Sequence, residues 1–191
     1  MKITMQKITF PTILTIIRLV VGFFIVPVLV VAVCPYNHWY GNIFVSLFFL
    51  AVSFTDFLDG YVARLYNQES YLGKVLDPLA DKCLMFATWI ALLVIGKLWY
   101  GWVLVLMGRE LLITTVRLLA VEQKIVISVS QSAKWKTAIH VLCCALIIVN
   151  PYQDLGFVSA WNWAETIFLF LSLFFSLYSG WHYCLLFFNQ L

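Results

Sequence analysis

Apolar positions along the chain gather into six runs, at about 12–34, 41–63, 78–97, 101–121, 134–150 and 163–187, separated by short polar connectors. Each run approaches the roughly 20 residues that a helix needs to cross the hydrocarbon layer of a bilayer. The pattern predicts an all-α integral membrane protein, a six-transmembrane-helix bundle forming one domain over residues 1–191, with no room in its connectors for a soluble domain. Ahead of the first run, Met1 to Phe10 alternates Lys2, Gln6 and Lys7 with Ile3, Met5, Ile8 and Phe10, which predicts a short amphipathic lead-in lying on the membrane surface. The first run is longer than a signal-peptide core, lacks a small-x-small cleavage site and is followed by five more, so it is expected to remain in the mature protein.

Composition agrees with this pattern. Hydrophobic residues make up 63% of the chain and charged ones 11%, against about 45–50% and 25% in soluble domains. The net charge of +3 gives no reason to expect a nucleic-acid partner; the placement of the charges carries more information. Outside the runs, Lys2, Lys7, Arg64, Lys74, Lys124, Lys134 and Lys136 fall on one side and Lys97 on the other. The positive-inside rule then puts both termini in the cytoplasm, as in a bacterial-type inner membrane. Tyr36, Trp39, Tyr40, Trp99, Tyr100, Tyr152, Trp161 and Trp163 supply an aromatic belt for the opposite interface. The five cysteines have no Cys-x-x-Cys spacing and read as apolar filler, and His38, His140 and His182 stand singly on apolar backgrounds, where packing is the default.

Four carboxylates interrupt the apolar pattern: Asp56, Asp59, Asp77 and Asp81. An ionised carboxylate beside hydrocarbon costs about 2.5–3.5 kcal/mol on insertion scales, so the group demands compensating cations. On helices, spacings of three and four put each pair on one face, at the facing ends of spans two and three. Hard oxygen donors of this kind suit Mg²⁺ or Mn²⁺, and two such ions could clamp a diphosphate. Asp77 followed by Pro78 also reads as a helix N-cap with proline at the first helical position. Gly60, Ala63 and Gly73, between the acids, would let a ligand approach the backbone, or would pack helices together. Arg109 and Arg117 lie eight apart on one face of span four, and Lys134 and Lys136 precede span five. These four form a basic pocket suited to an anionic acceptor, although positive-inside anchoring also accounts for the lysines. Glu110 could pair with Arg117 at seven residues' spacing or, the favoured reading, with a cation on a neighbouring helix.

The run Asp-x2-Asp-Gly-x2-Ala-Arg-x8-Gly-x3-Asp-x3-Asp, from Asp56 through Asp59, Gly60, Ala63, Arg64, Gly73 and Asp77 to Asp81, resembles the signature of the CDP-alcohol phosphatidyltransferase family at all its fixed positions. Softer similarity extends over most of the chain. It runs from Pro11 through Thr15 to Arg18, over Gly108, Arg109 and Glu110 with Arg117, and from Lys134 to Thr137, and is closest to the branch that uses glycerol phosphate. Thr12 departs from that branch, which usually has asparagine there.

The resemblance implies transfer of a phosphatidyl group from CDP-diacylglycerol to sn-glycerol 3-phosphate with release of CMP. It implies two metal ions held by Asp56, Asp59 and Asp77, with Asp81 as general base and at the edge of the metal site. It further implies CDP-diacylglycerol contacts at Thr15, Gly60, Ala63, Arg64 and Gly73, an acceptor-phosphate pocket of Arg109, Arg117, Lys134 and Lys136, and a homodimer. Two rivals remain: the same family with phosphatidylglycerol, inositol phosphate or serine as acceptor, and a cation transporter or channel using the acids as an ion path. The sequence lacks the paired broken helices of an inverted repeat, which counts against transport.

Overall fold

The computed structural model describes residues 16–36, 38–65, 71–123, 131–150 and 158–188; within them, the side chains of 56–65, 71–79, 81, 117, 121, 122, 131–134, 158, 159, 182 and 186–188 lie outside the described set. The proposed lead-in, Met1 to Phe10, and Thr15 are also outside it. Six helices occupy the described residues: α1 (Ile16–Tyr36), α2 (Trp39–Leu65), α3 (Tyr71–Val94), α4 (Tyr100–Glu122), α5 (Gln131–Val149) and α6 (Val158–Phe188). No strand occurs among them. Each helix coincides with one apolar run. Two described stretches, Ile16–Tyr36 and Ala160–Leu185, are long and apolar enough to cross a membrane, while the apolar stretches Trp39–Thr55, Lys82–Val94 and Trp135–Val149 are shorter.

One boundary differs from expectation in a way that matters. α3 begins at Tyr71, so Asp77 lies inside the helix and is not its N-cap, and Pro78 does not occupy the first helical position. A proline inside a helix removes one N–H and crowds the preceding turn, yet an apolar setting favours continuing the helix because it satisfies the remaining backbone groups. In the continuous helix, positions 73, 77 and 81 follow one another at four-residue intervals along one stripe.

α1 handles its own proline differently. Val21–Ile25 forms a π turn in which the Val26 N–H bonds the Val21 carbonyl. Pro27 then falls in the first turn of the regular segment Val26–Val33, where its missing N–H matters least. In the same π turn, Gly22 allows α1 to press on α3, since a Cβ there would lie 3.1 Å from Leu84 Cδ1 and 3.2 Å from its Cβ.

Few residues separate the bounds of successive helices, so sequential helices run antiparallel. Gly96, at φ 74°, turns the chain after α3, with the Lys97 N–H bonding the Leu92 carbonyl. The far end of the bundle is pinned by polar contacts: Lys97 Nζ donates to the carbonyls of Ile148 and Asn150 (3.0 and 2.7 Å), capping α5, and Asn150 Nδ2 donates to Asn162 Oδ1. Trp39 and Trp161 meet edge to face at the same level. Val26, Phe49, Leu84, Trp89, Leu106 and Ile148 belong to the packed core. Phe24 and Val28 on α1, Leu104 on α4, and Phe170, Phe174 and Trp181 on α6 are exposed, as befits surfaces wetted by acyl chains.

Where helices face hydrocarbon, hydroxyls must be satisfied internally. Ser53, Thr55, Thr88, Thr115 and Thr166 each bond the carbonyl four residues earlier, and Ser46 Oγ bonds the Ala145 carbonyl, joining α2 to α5. Asn42 departs from this pattern: it is fully buried, and neither amide atom has a partner. An unsatisfied buried amide costs about 1–3 kcal/mol, so the near-isosteric Asn42→Leu should raise the thermal unfolding midpoint in detergent. An unchanged or lower midpoint would show that the amide is satisfied in the folded protein.

Candidate active site

The end opposite Lys97 gathers the C-terminal turns of α2 and α4, the N-terminal turns of α3 and α5, and the last turns of α6. Asp56, Asp59, Gly60, Ala63 and Arg64 are positions of α2; Gly73, Asp77 and Asp81 are positions of α3. Their backbones thus bring the two acidic pairs to the same end of the bundle, on helices joined by the short segment 66–70. The side chains of these eight residues, and those of Arg117 and Lys134, lie outside the described set, whereas those of Arg109 and Lys136 are described.

Arg109, on α4, is held on three sides. Its Nε donates to the Ser176 carbonyl of α6 at 2.7 Å, its Nη2 to Ser179 Oγ, and its Nη1 to Glu110 Oε1 at 2.8 Å. α6 comes this close because position 180 is glycine: a Cβ there would stand 3.2 Å from Arg109 Nε. Glu110 also takes an ion pair from Lys136 Nζ of α5 at 2.5 Å. The three charged side chains are 8%, 13% and 14% exposed for Arg109, Glu110 and Lys136, so this is a largely buried triad of two cations around one carboxylate. Glu110 therefore does find its cation on a neighbouring helix. Arg109 and Lys136 are shaped and oriented by these contacts and retain a joint excess of positive charge.

Lys82, directly after Asp81 on α3, reaches Thr114 Oγ1 on α4, and Thr114 returns to the Glu110 carbonyl at 2.7 Å. Lys82, Glu110, Lys136, Thr137, His140 and Trp89 line a cavity of about 20 Å³ at the junction of α3, α4 and α5. From the sequence, Lys82 drew no reading and His140 was assigned to packing. The signals were present, a cation inside an apolar helix beside Asp81 and a histidine one turn after Lys136, but their meaning depends on three helices converging.

Four carboxylates carried by α2 and α3 would make a hard, all-oxygen donor set, a chemistry that fits Mg²⁺ or Mn²⁺. Among known proteins, the family model for CDP-alcohol phosphatidyltransferase matches residues 8–180. The chain belongs to this family. Relatives named CDP-diacylglycerol–glycerol-3-phosphate 3-phosphatidyltransferase include one from Arabidopsis thaliana, 32% identical over 78% of this chain and 68% of its own length. Others come from Bacillus subtilis, at 31% identity over 72% of this chain and 70% of the relative, and from Rickettsia felis, at 35% over 73% and 75%. As a phosphatidyltransferase of this family the chain is a transferase, and the acidic run of α2 and α3 and the basic triad of α4 and α5 lie within the matched region.

Proposed function

We propose that this protein transfers the phosphatidyl group of CDP-diacylglycerol to sn-glycerol 3-phosphate, giving phosphatidylglycerophosphate and CMP. The observation that carries the reading is the complete acidic run on α2 and α3 in a chain whose relatives are named for this reaction. The Arg109–Glu110–Lys136 arrangement supports a phosphorylated acceptor, because its two cations outnumber its one carboxylate. With Arg117 and Lys134 it would receive the acceptor phosphate through charge-assisted hydrogen bonds.

In this reading the acceptor hydroxyl oxygen bonds the β-phosphorus of CDP-diacylglycerol, the bond to the bridging oxygen breaks, and CMP leaves with the bonding electrons. Asp81 takes the hydroxyl proton. Asp56, Asp59, Asp77 and Asp81 would hold two Mg²⁺ ions, which when bound supply charge neutralisation to the diphosphate. Arg64 would meet the diphosphate, and Thr15, Gly60, Ala63 and Gly73 would border the nucleotide. All six helices would span the membrane, with the acidic end and both termini on the cytoplasmic side and the lipid tails of the donor left in the bilayer. The family resemblance further supports a homodimer with one site per protomer.

Purified protein in detergent with CDP-diacylglycerol and Mg²⁺ should release CMP with sn-glycerol 3-phosphate and not with inositol phosphate, phosphatidylglycerol or serine. EDTA should abolish release and excess Mg²⁺ restore it. Release with a different acceptor would change the substrate and keep the family, whereas no release with any acceptor would overturn the enzymatic reading.

A further inference from the structure

His140 is 4% exposed, deep in α5, with its ring 5.5 Å from that of Trp89. Its imidazole hydrogen-bonds the backbone of Lys136, one turn earlier, and Nε2 is a buried nitrogen with no partner in the protein. The backbone bond therefore engages Nδ1. A carbonyl accepts only from N–H, so Nδ1 carries the proton and the neutral ring presents Nε2 as a lone-pair acceptor. A buried acceptor left without a donor is destabilised, and a small polar occupant would relieve it.

The space for such an occupant is the cavity that His140 itself lines. At about 20 Å³, it has room for one water or one projecting hydroxyl. Its other polar walls complement an O–H group: Glu110 accepts, Lys82 and Lys136 donate, and Thr137 does either. A deprotonated anion offers the Nε2 lone pair no donor, and a cation is disfavoured by the two ammonium groups.

We infer that the chamber between α3, α4 and α5 is a binding site for a neutral hydroxyl, which donates its hydrogen bond to His140 Nε2. Resting on the reaction proposed above, the occupant is either a non-attacking hydroxyl of the polyol acceptor or an ordered water that braces Glu110 and Lys136. In the first case His140 helps to set acceptor specificity; in the second it is a positioning residue for the acceptor-phosphate pocket.

The test is the long-range ¹H–¹⁵N spectrum of the full chain in detergent, labelled at histidine, with the His140 signals assigned by their loss in His140→Gln. A hydrogen-bonded Nε2 resonance that is present without acceptor and unmoved by sn-glycerol 3-phosphate supports the site with water as occupant. A resonance that moves to the hydrogen-bonded position with sn-glycerol 3-phosphate, and not with inorganic phosphate, supports the acceptor's hydroxyl. A bare lone-pair resonance under every condition, or a proton on Nε2, overturns the proposal. These outcomes do not depend on turnover, so the site can stand or fall apart from the reaction.

Kinetics add a second arm. His140→Phe should raise the acceptor KM about tenfold, the loss of one net hydrogen bond, with the CDP-diacylglycerol KM unchanged. His140→Gln, which offers a carbonyl acceptor, should restore most of it. Equal losses in both variants, or an unchanged acceptor KM in folded His140→Phe, would also overturn the proposal.

Discussion

Asp81→Asn is expected to lower turnover by about 10²–10⁴-fold, the range for loss of a positioned general base, while CDP-diacylglycerol binding falls much less. Asparagine keeps the size and one acceptor oxygen of the side chain but cannot take a proton from the acceptor hydroxyl. Asp59→Asn should behave differently. It removes a donor from the proposed metal set, so nucleotide binding and turnover should fall together and excess Mg²⁺ should recover part of both. CMP release and titration with the donor substrate, measured on both variants, separate the two roles. Near-normal turnover in Asp81→Asn would remove that residue from proton transfer, and metal-independent binding in Asp59→Asn would dissolve the metal assignment.

Glu110→Ala is the second large effect. Arg109 and Lys136 flank one carboxylate in a pocket where each charged side chain is at most 14% exposed. Removing one member of a buried ion pair costs about 3–5 kcal/mol, because the remaining charges keep their desolvation penalty without compensation. Here two cations would be left facing each other. The thermal unfolding midpoint in detergent should fall markedly, with a smaller fall for Glu110→Gln, which keeps a hydrogen-bond acceptor. Lys136→Met should be milder than Glu110→Ala, since Arg109 would still satisfy the carboxylate. A midpoint unmoved by Glu110→Ala would mean that the triad is solvated and contributes little.

The two halves of the site were unequally visible in the sequence. Helix number and position were legible because an apolar run must satisfy its backbone internally, which leaves helix as the only solution for a single chain segment. The start of α3 was misplaced because Pro78 is a strong local signal for a helix beginning, and local signals yield when the preceding residues, Tyr71 to Asp77, can extend the helix. The acidic run was legible because its spacing lies on two consecutive helices. The surroundings of Arg109 were not: its partners come from residues 67 and 70 positions later, on a helix with no motif. Lys82, Thr114 and His140 likewise acquire a role only when α3, α4 and α5 come together.

Ser176 serves Arg109 through its carbonyl, while its own hydroxyl is buried without a partner. Every amino acid carries that carbonyl, so any side chain small enough for this buried position keeps the guanidinium in place. The one imprint such a contact leaves on a gene is a missing side chain nearby, at Gly180. A reading confined to side chains would find Ser179 on α6 and miss that the main chain of the same helix also holds one wall of the basic pocket upright.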